Sequence, residues 1–131
     1  MSDIKDLFQS GDWKAEKHVP VIEVKGPAKK GEPFEVQLSV GAEIAHPHTT
    51  EHHIRYIQLY FKPEGEKFII HLGSFNFEAH SESAEGPNAG SAKCEPKVTA
   101  TVTLEKSGEL VALSYCNIHG LWDNSEKVAV S

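Results

Sequence analysis

Residues 114–120 read Ser-Tyr-Cys-Asn-Ile-His-Gly and place Cys116 three residues before His119. A soft thiolate and an imidazole at that spacing can bind one metal ion from a single turn. The chain has eight histidines, and seven of them precede Cys116, so partners to complete such a site are at hand. One redox-capable metal centre is the working reading. With only two cysteines, Cys94 and Cys116, the chain cannot supply a four-cysteine zinc or iron site. A Cys94–Cys116 disulfide is the bland alternative, and a reducing compartment disfavours it.

The histidines sort by their surroundings. His18 lies in Glu16-Lys-His-Val-Pro, and His46, His48, His52 and His53 crowd one short segment. His52 and His53 are neighbours entering an extended run, so their side chains point to opposite faces and only one of them readily reaches a given metal. Pro47 pushes His46 toward an extended backbone, and the turn-like stretch that follows can hold His46 and His52 around one point. His48 stays undecided. His71 and His80, isolated from the others, read as ordinary structural histidines.

The elements that must position these groups are strands. Near-alternating runs rich in β-branched and aromatic residues span Val19 to Val24, Phe34 to Ile44, His53 to Phe61, Phe68 to Phe77, Val98 to Leu104, Leu110 to Tyr115 and Val128 to Val130. These seven strands predict an all-β, immunoglobulin-like antiparallel β-sandwich or barrel. Lys62–Glu66 and Glu105–Glu109 have the length and residue types of hairpin turns. Helical periodicity appears only in Asp3–Gln9, where Ile4, Leu7 and Phe8 could form an apolar face over a short N-terminal helical turn. Residues 79–96, with Gly86-Pro-Asn-Ala-Gly-Ser, read as a mobile loop. Trp13 and Trp122 do not occupy the central-strand position of a true immunoglobulin domain.

At 131 residues the chain suits one domain, residues 1–131, with a core of its own. A net charge of −6 and no basic run beyond Lys29-Lys30 argue against a nucleic-acid partner. No apolar stretch is long enough for a membrane span and the N-terminus lacks a secretion signal, which leads us to expect no membrane partner and a cytoplasmic location.

Three motifs, Glu16-Lys-His-Val-Pro, His46-Pro followed by Thr49-Thr-Glu-His-His-Ile, and Cys116-Asn-Ile-His-Gly, together resemble superoxide reductase of the one-iron, or neelaredoxin, type. The similarity runs from about Gly11 to Trp122. The extra N-terminal four-cysteine domain of the two-iron type has no counterpart among the two cysteines. The resemblance implies one iron per chain, held equatorially by His18, His46, His52 and His119 and axially by Cys116. It places Glu16 at the sixth position of the resting ferric site and leaves that position open in the ferrous one. Lys17 becomes the attractor for anionic superoxide, reduced to hydrogen peroxide with electrons from rubredoxin or a similar small carrier. A homotetramer is implied in the same way.

Other chemistries use similar residues. A blue-copper carrier is also a β-sandwich with Cys and His near its C-terminal end, but Met1 is the sole methionine and nothing after Gly120 replaces the usual axial ligand. A zinc-stabilised interaction module explains the His and Cys set without explaining the Glu16-Lys17 pair. A dismutase would use the same metal and release dioxygen.

Overall fold

Seven strands carry the chain in the computed structural model, which describes residues 1–131: β1 (Pro20–Lys25), β2 (Phe34–Val40), β3 (Ile54–Pro63), β4 (Ile70–Asn76), β5 (Lys97–Val102), β6 (Gly108–Cys116) and β7 (Gly120–Val128). All pairings are antiparallel, and they form a three-stranded sheet in the order β1-β2-β5 and a four-stranded sheet in the order β4-β3-β6-β7. Alternation along β2, β3 and β6 turns one side of each strand inward. Val36, Leu38, Ile57, Leu59, Leu110 and Ala112 are fully buried between the sheets, and this apolar layer is the main stabilising contribution. The N-terminal helical turn is one turn of 3-10 helix, Ile4–Asp6, whose Ile4 remains exposed.

Two expectations about the strands need correction. The last strand is Gly120–Val128, not Val128–Val130. Its Asp123-Asn-Ser-Glu-Lys stretch is polar because β7 lies at the sheet edge, where outward positions face water, and its pairing is imposed by the hairpin from β6. The Glu105–Glu109 connection is not a hairpin turn, because β5 pairs with β2 and β6 pairs with β3, so the chain crosses there from one sheet to the other. Turn-forming residues specify a change of direction and leave the destination open; burial of Leu104 between the sheets draws the chain across. Residues 79–96 contain no strand, as expected. They are nevertheless tied down by main-chain bonds such as Ser81 N–H to Ala92 C=O at 3.0 Å and Cys94 N–H to Ala79 C=O at 2.7 Å.

The ladder registers decide where the motifs meet. Pro20 pairs with Val40 at one end of the first sheet, and Ile54 pairs with Cys116 at one end of the second. His18 therefore precedes β1, His46 follows β2, His52 precedes β3 and His119 follows β6, all at the same end of the sandwich. Gly41 turns the chain directly after β2 with φ at +88°. A Cβ there would lie 2.6 Å from the His46 main-chain nitrogen, so glycine permits the close return that carries His46 inward.

Candidate metal centre

Cys116 occupies the last inward position of β6, following Leu110, Ala112 and Ser114 on the same face, and its thiol is fully buried. The three residues Asn117–His119 form the turn into β7, and Gly120, at φ +82°, supplies the left-handed residue that a three-residue hairpin requires. The turn folds back on the sulfur, with His119 N–H 3.4 Å from Cys116 Sγ. The C-x-x-H spacing thus becomes a local chelating shape before any other segment joins it.

The donor atoms of His18, His52, Cys116 and His119 all lie within 4.8 Å of one another. His18 Nε2 is 3.1 Å from His119 Nδ1, and Cys116 Sγ is 3.7 Å from the same nitrogen. His46 stands outside that four-residue group, yet its ring centroid is 4.8 Å from those of both His18 and His52. The His18–His119 and His52–His119 centroids are 4.6 and 5.0 Å apart, whereas His18 and His52 are separated by 6.3 Å. The four rings therefore run His18, His46, His52, His119 around a square, with His18 and His52 on opposite sides. Cys116 lies beneath in the core, while His119 is exposed at the rim.

Hydrogen bonds on the outer nitrogens fix how the rings face inward. His18 Nδ1 is 2.6 Å from Glu16 Oε1 and His46 Nδ1 is 2.7 Å from the Pro47 carbonyl oxygen. Each of these nitrogens donates its proton outward, which leaves the Nε2 lone pair directed at the centre. The Nε2 atoms of His46 and His52 are buried without a hydrogen-bond partner. Unpartnered nitrogen in a dry site costs free energy unless something is bound there. Two nitrogens about 2.1 Å from one metal and at right angles lie roughly 3 Å apart, the separation seen between His18 and His119. Four imidazoles and a thiol in this arrangement fit a single first-row transition metal.

The electrostatics disfavour protonation of His46 and His52. Burial pushes His46 down to about 4, with the nearby rings of His18, His52 and His48 adding to the effect. His52 is lowered by burial and then by His119, His18 and Lys17, so the Lys17 charge is felt inside the cluster. The Glu16 carboxyl is held below its ordinary range chiefly by its hydrogen bond with His18. Glu16 Oε1 also accepts the His18 main-chain N–H at 3.1 Å, and the Glu16 side chain is 37% exposed at the mouth of the cluster.

The remaining candidates lie elsewhere. His53 turns to the face opposite His52 and stacks on His80, with centroids 3.4 Å apart, so the alternation argument holds for this pair. His48 pairs with Glu95 at 3.2 Å, and His71 bonds Ser74 Oγ at 3.0 Å. Both cysteines are free thiols, and Cys94 packs at the margin of the core.

Three neighbours of the cluster escape a reading of ligand spacing. The Trp122 ring stacks on His18 at 5.0 Å and an interplanar angle of 15°, and its Nε1–H donates to the His119 carbonyl at 3.2 Å. Ser114 Oγ donates to the His18 carbonyl at 3.0 Å. Asn117 bonds the segment that carries His52. A usable signal for Trp122 was present: once Cys116 and Gly120 are paired across a three-residue turn, Trp122 falls opposite Ser114 on the inward face.

The desulfoferrodoxin family model matches residues 10–125, a span that includes every ring and thiol of the cluster. The chain belongs to the desulfoferrodoxin family. Among relatives in this family, neelaredoxin from Megalodesulfovibrio gigas is 54% identical over 125 residues, covering 95% of this chain and 96% of that protein. Superoxide reductase from Pyrococcus furiosus is 54% identical over 121 residues, covering 92% and 95%. The solved structure of superoxide reductase (neelaredoxin) from Archaeoglobus fulgidus in the reduced form superposes with a TM-score of 0.88 at 52% identity, covering 94% of this chain and 98% of that one. The desulfoferrodoxin chain described here shares with that structure its whole two-sheet frame.

Proposed function

We propose that this chain is a superoxide reductase of the neelaredoxin type, one domain over residues 1–131 with one iron. The observation that carries the reading is the square of His18, His46, His52 and His119 rings above the buried Cys116 thiol, with unpartnered His46 and His52 nitrogens facing its centre. Relatives named neelaredoxin and superoxide reductase, each matched over more than nine-tenths of its length, support the same assignment.

In this reading His18, His46 and His52 would hold the iron through Nε2, His119 through Nδ1 and Cys116 through its sulfur. Iron held there would supply a one-electron couple. The protein supplies the rest. Cys116, buried at the inner side of the four rings, would supply thiolate electron density to the metal from a side that solvent does not reach. Lys17 offsets the repulsion that a chain of net charge −6 exerts on an anion, drawing superoxide to the mouth of the site. Reduction to hydrogen peroxide takes up one electron and two protons, and Lys17 would hold a water that relays a proton from solvent. Glu16 holds His18 Nδ1, and its partly exposed carboxylate would be available to the metal after turnover, where it would exclude other anions.

The electrons come from an external donor, since two cysteines cannot build a second centre in this chain. Rubredoxin or a similar small carrier suits a site whose His119 edge is exposed. A homotetramer belongs to the same proposal, and the exposed run Phe68-Ile69-Ile70 offers apolar surface for assembly. No helix is long and apolar enough to cross a membrane. A cytoplasmic location is the accompanying proposal.

Metal analysis combined with the visible spectrum of the oxidised protein tests the centre. One iron per chain with a thiolate-to-ferric band is expected; stoichiometric zinc without colour, or a copper–thiolate spectrum, would replace this reading with a structural module or an electron carrier.

A further inference from the structure

We propose that Asn117 is a positioning residue that sets His52 against the Cys116–His119 turn by holding the main chain on both sides of that histidine. The inference rests on the metal-centre reading above. Asn117 Oδ1 accepts the His53 N–H at 2.9 Å, and its Nδ2 donates to the Glu51 carbonyl at 2.9 Å. Its own main-chain N–H donates to the His53 carbonyl at 3.2 Å. One residue thus makes three bonds to the main chain of Glu51 and His53, the two residues that flank His52, across 64 to 66 positions of sequence.

Geometry explains why a bond is needed at this point. Sheet pairing between β3 and β6 begins only at Ile54 and Cys116, and the register shifts between Ile54 and Tyr56. His53 therefore lies just beyond the ladder, buried to 6% exposure, with no strand neighbour for its N–H or C=O. A side-chain amide presents an acceptor and a donor side by side, as a peptide group does, and so extends the ladder by one step. The Asn117 length and polarity both matter: a carboxylate would set oxygen against the Glu51 carbonyl, and alanine would leave the buried His53 N–H unsatisfied.

The segment held in this way behaves as a unit. Thr49 N–H donates to His52 C=O at 2.9 Å, and His52 N–H is 3.0 Å from Thr49 Oγ1, closing a small turn around Thr50 and Glu51. Asn88 supports that turn from its outer side, accepting Thr50 N–H at 2.7 Å. Only the Asn117 bonds connect it to the turn that carries Cys116 and His119. Moving them shifts His52 relative to two other ligands while leaving its ring chemistry untouched.

The test uses the full chain as wild type, Asn117→Ala, Asn117→Asp and Glu51→Ala, stripped of metal and titrated anaerobically with ferrous iron. The readouts are the dissociation constant, the position of the thiolate band after oxidation, and the thermal midpoint of the metal-free protein. Asn117→Ala and Asn117→Asp are expected to weaken iron binding about 10- to 100-fold and to move the band, as loss of outer contacts does at other metal sites. Glu51→Ala keeps the carbonyl that Asn117 contacts and loses only the carboxylate that Asn88 Nδ2 holds at 3.0 and 3.2 Å on the outer side of the turn, so it should weaken iron binding much less than the Asn117 variants do. The metal-free midpoint of Asn117→Asp should fall, because its carboxylate opposes the Glu51 carbonyl, while a moved thiolate band in the folded, iron-loaded protein is the readout that a merely structural role would not produce. Wild-type affinity and band position in both Asn117 variants, or an equal loss in Glu51→Ala, would overturn the positioning role while leaving the metal centre in place. A wild-type chain that takes up no iron with a thiolate band would remove the centre, and the role with it.

Discussion

His18 Nε2 and His119 Nδ1 lie 3.1 Å apart although 101 positions separate them in the chain. The two residues extend from different sheets, His18 from the start of β1 and His119 from the turn after β6. Their approach requires both sheets to end at the same level, which the Pro20–Val40 and Ile54–Cys116 pairings provide. A folded sandwich therefore brings the donor atoms together before metal arrives, and iron selects a site whose ordering cost is already met by folding.

Glu16 holds His18, and its proposed second role at the metal is separable from that contact. Glu16→Gln keeps an oxygen that can accept the His18 Nδ1 proton, whereas Glu16→Ala removes it. Iron affinity should fall by about 10-fold in Glu16→Ala and much less in Glu16→Gln. Both variants should lose the pH dependence of the ferric absorption spectrum. Variant ferric spectra that match wild type at every pH would remove Glu16 from the sixth position.

Lys17 acts through charge. Neutralising it in Lys17→Ala should lower the second-order rate with superoxide by about 10-fold at low ionic strength, and Lys17→Arg should retain most of the rate. Stopped-flow or pulsed generation of superoxide at several salt concentrations measures this. A rate indifferent to both the substitution and salt contradicts the steering role.

His46 gives the metal-free protein a distinct pH dependence. Its folded value of about 4 lies below the ordinary 6.5, so between these values the unfolded chain binds a proton that the folded chain refuses. Stability is complete above the upper value and declines as pH falls toward the lower one, by about 3 kcal/mol from this residue at full effect. Denaturant unfolding at about pH 7 and about pH 4.5 should show a smaller loss in His46→Gln than in wild type. Parallel losses would mean that burial does not hold this ring neutral.

Trp122 joins packing to function. It is 8% exposed and lies flat against His18, so Trp122→Ala should cost about 3 kcal/mol in stability and also loosen iron binding. Trp122→Phe preserves a ring on His18 and should recover most of the affinity. Equal affinities in the two variants would show that the stack does not restrain the imidazole.

The ligand segments were legible because metal chemistry restricts residue type and spacing locally. Cys116 and His119 share one turn, and His52 and His53 divide between faces by strand alternation alone. Six strands were legible from their apolar alternation, whereas β7 was not, because an edge strand carrying Asp123, Asn124, Ser125 and Glu126 loses the apolar pattern that marks a buried one. The crossing at Glu105–Glu109 was hidden for a different reason: which sheet receives β6 is decided by long-range pairing with Tyr60, Phe61 and their neighbours. The Asn117 contacts depend on that pairing too, whereas the position of Trp122 opposite Ser114 follows from the local hairpin that joins Cys116 to Gly120.

Superoxide consumption under anaerobic conditions with a reduced electron donor, following hydrogen peroxide and dioxygen together, tests the assigned activity most directly. One peroxide for each superoxide, one donor electron consumed and no dioxygen released is the predicted outcome. Dioxygen evolution with one peroxide for every two superoxide ions consumed and the donor left reduced would make the protein a dismutase and contradict the account.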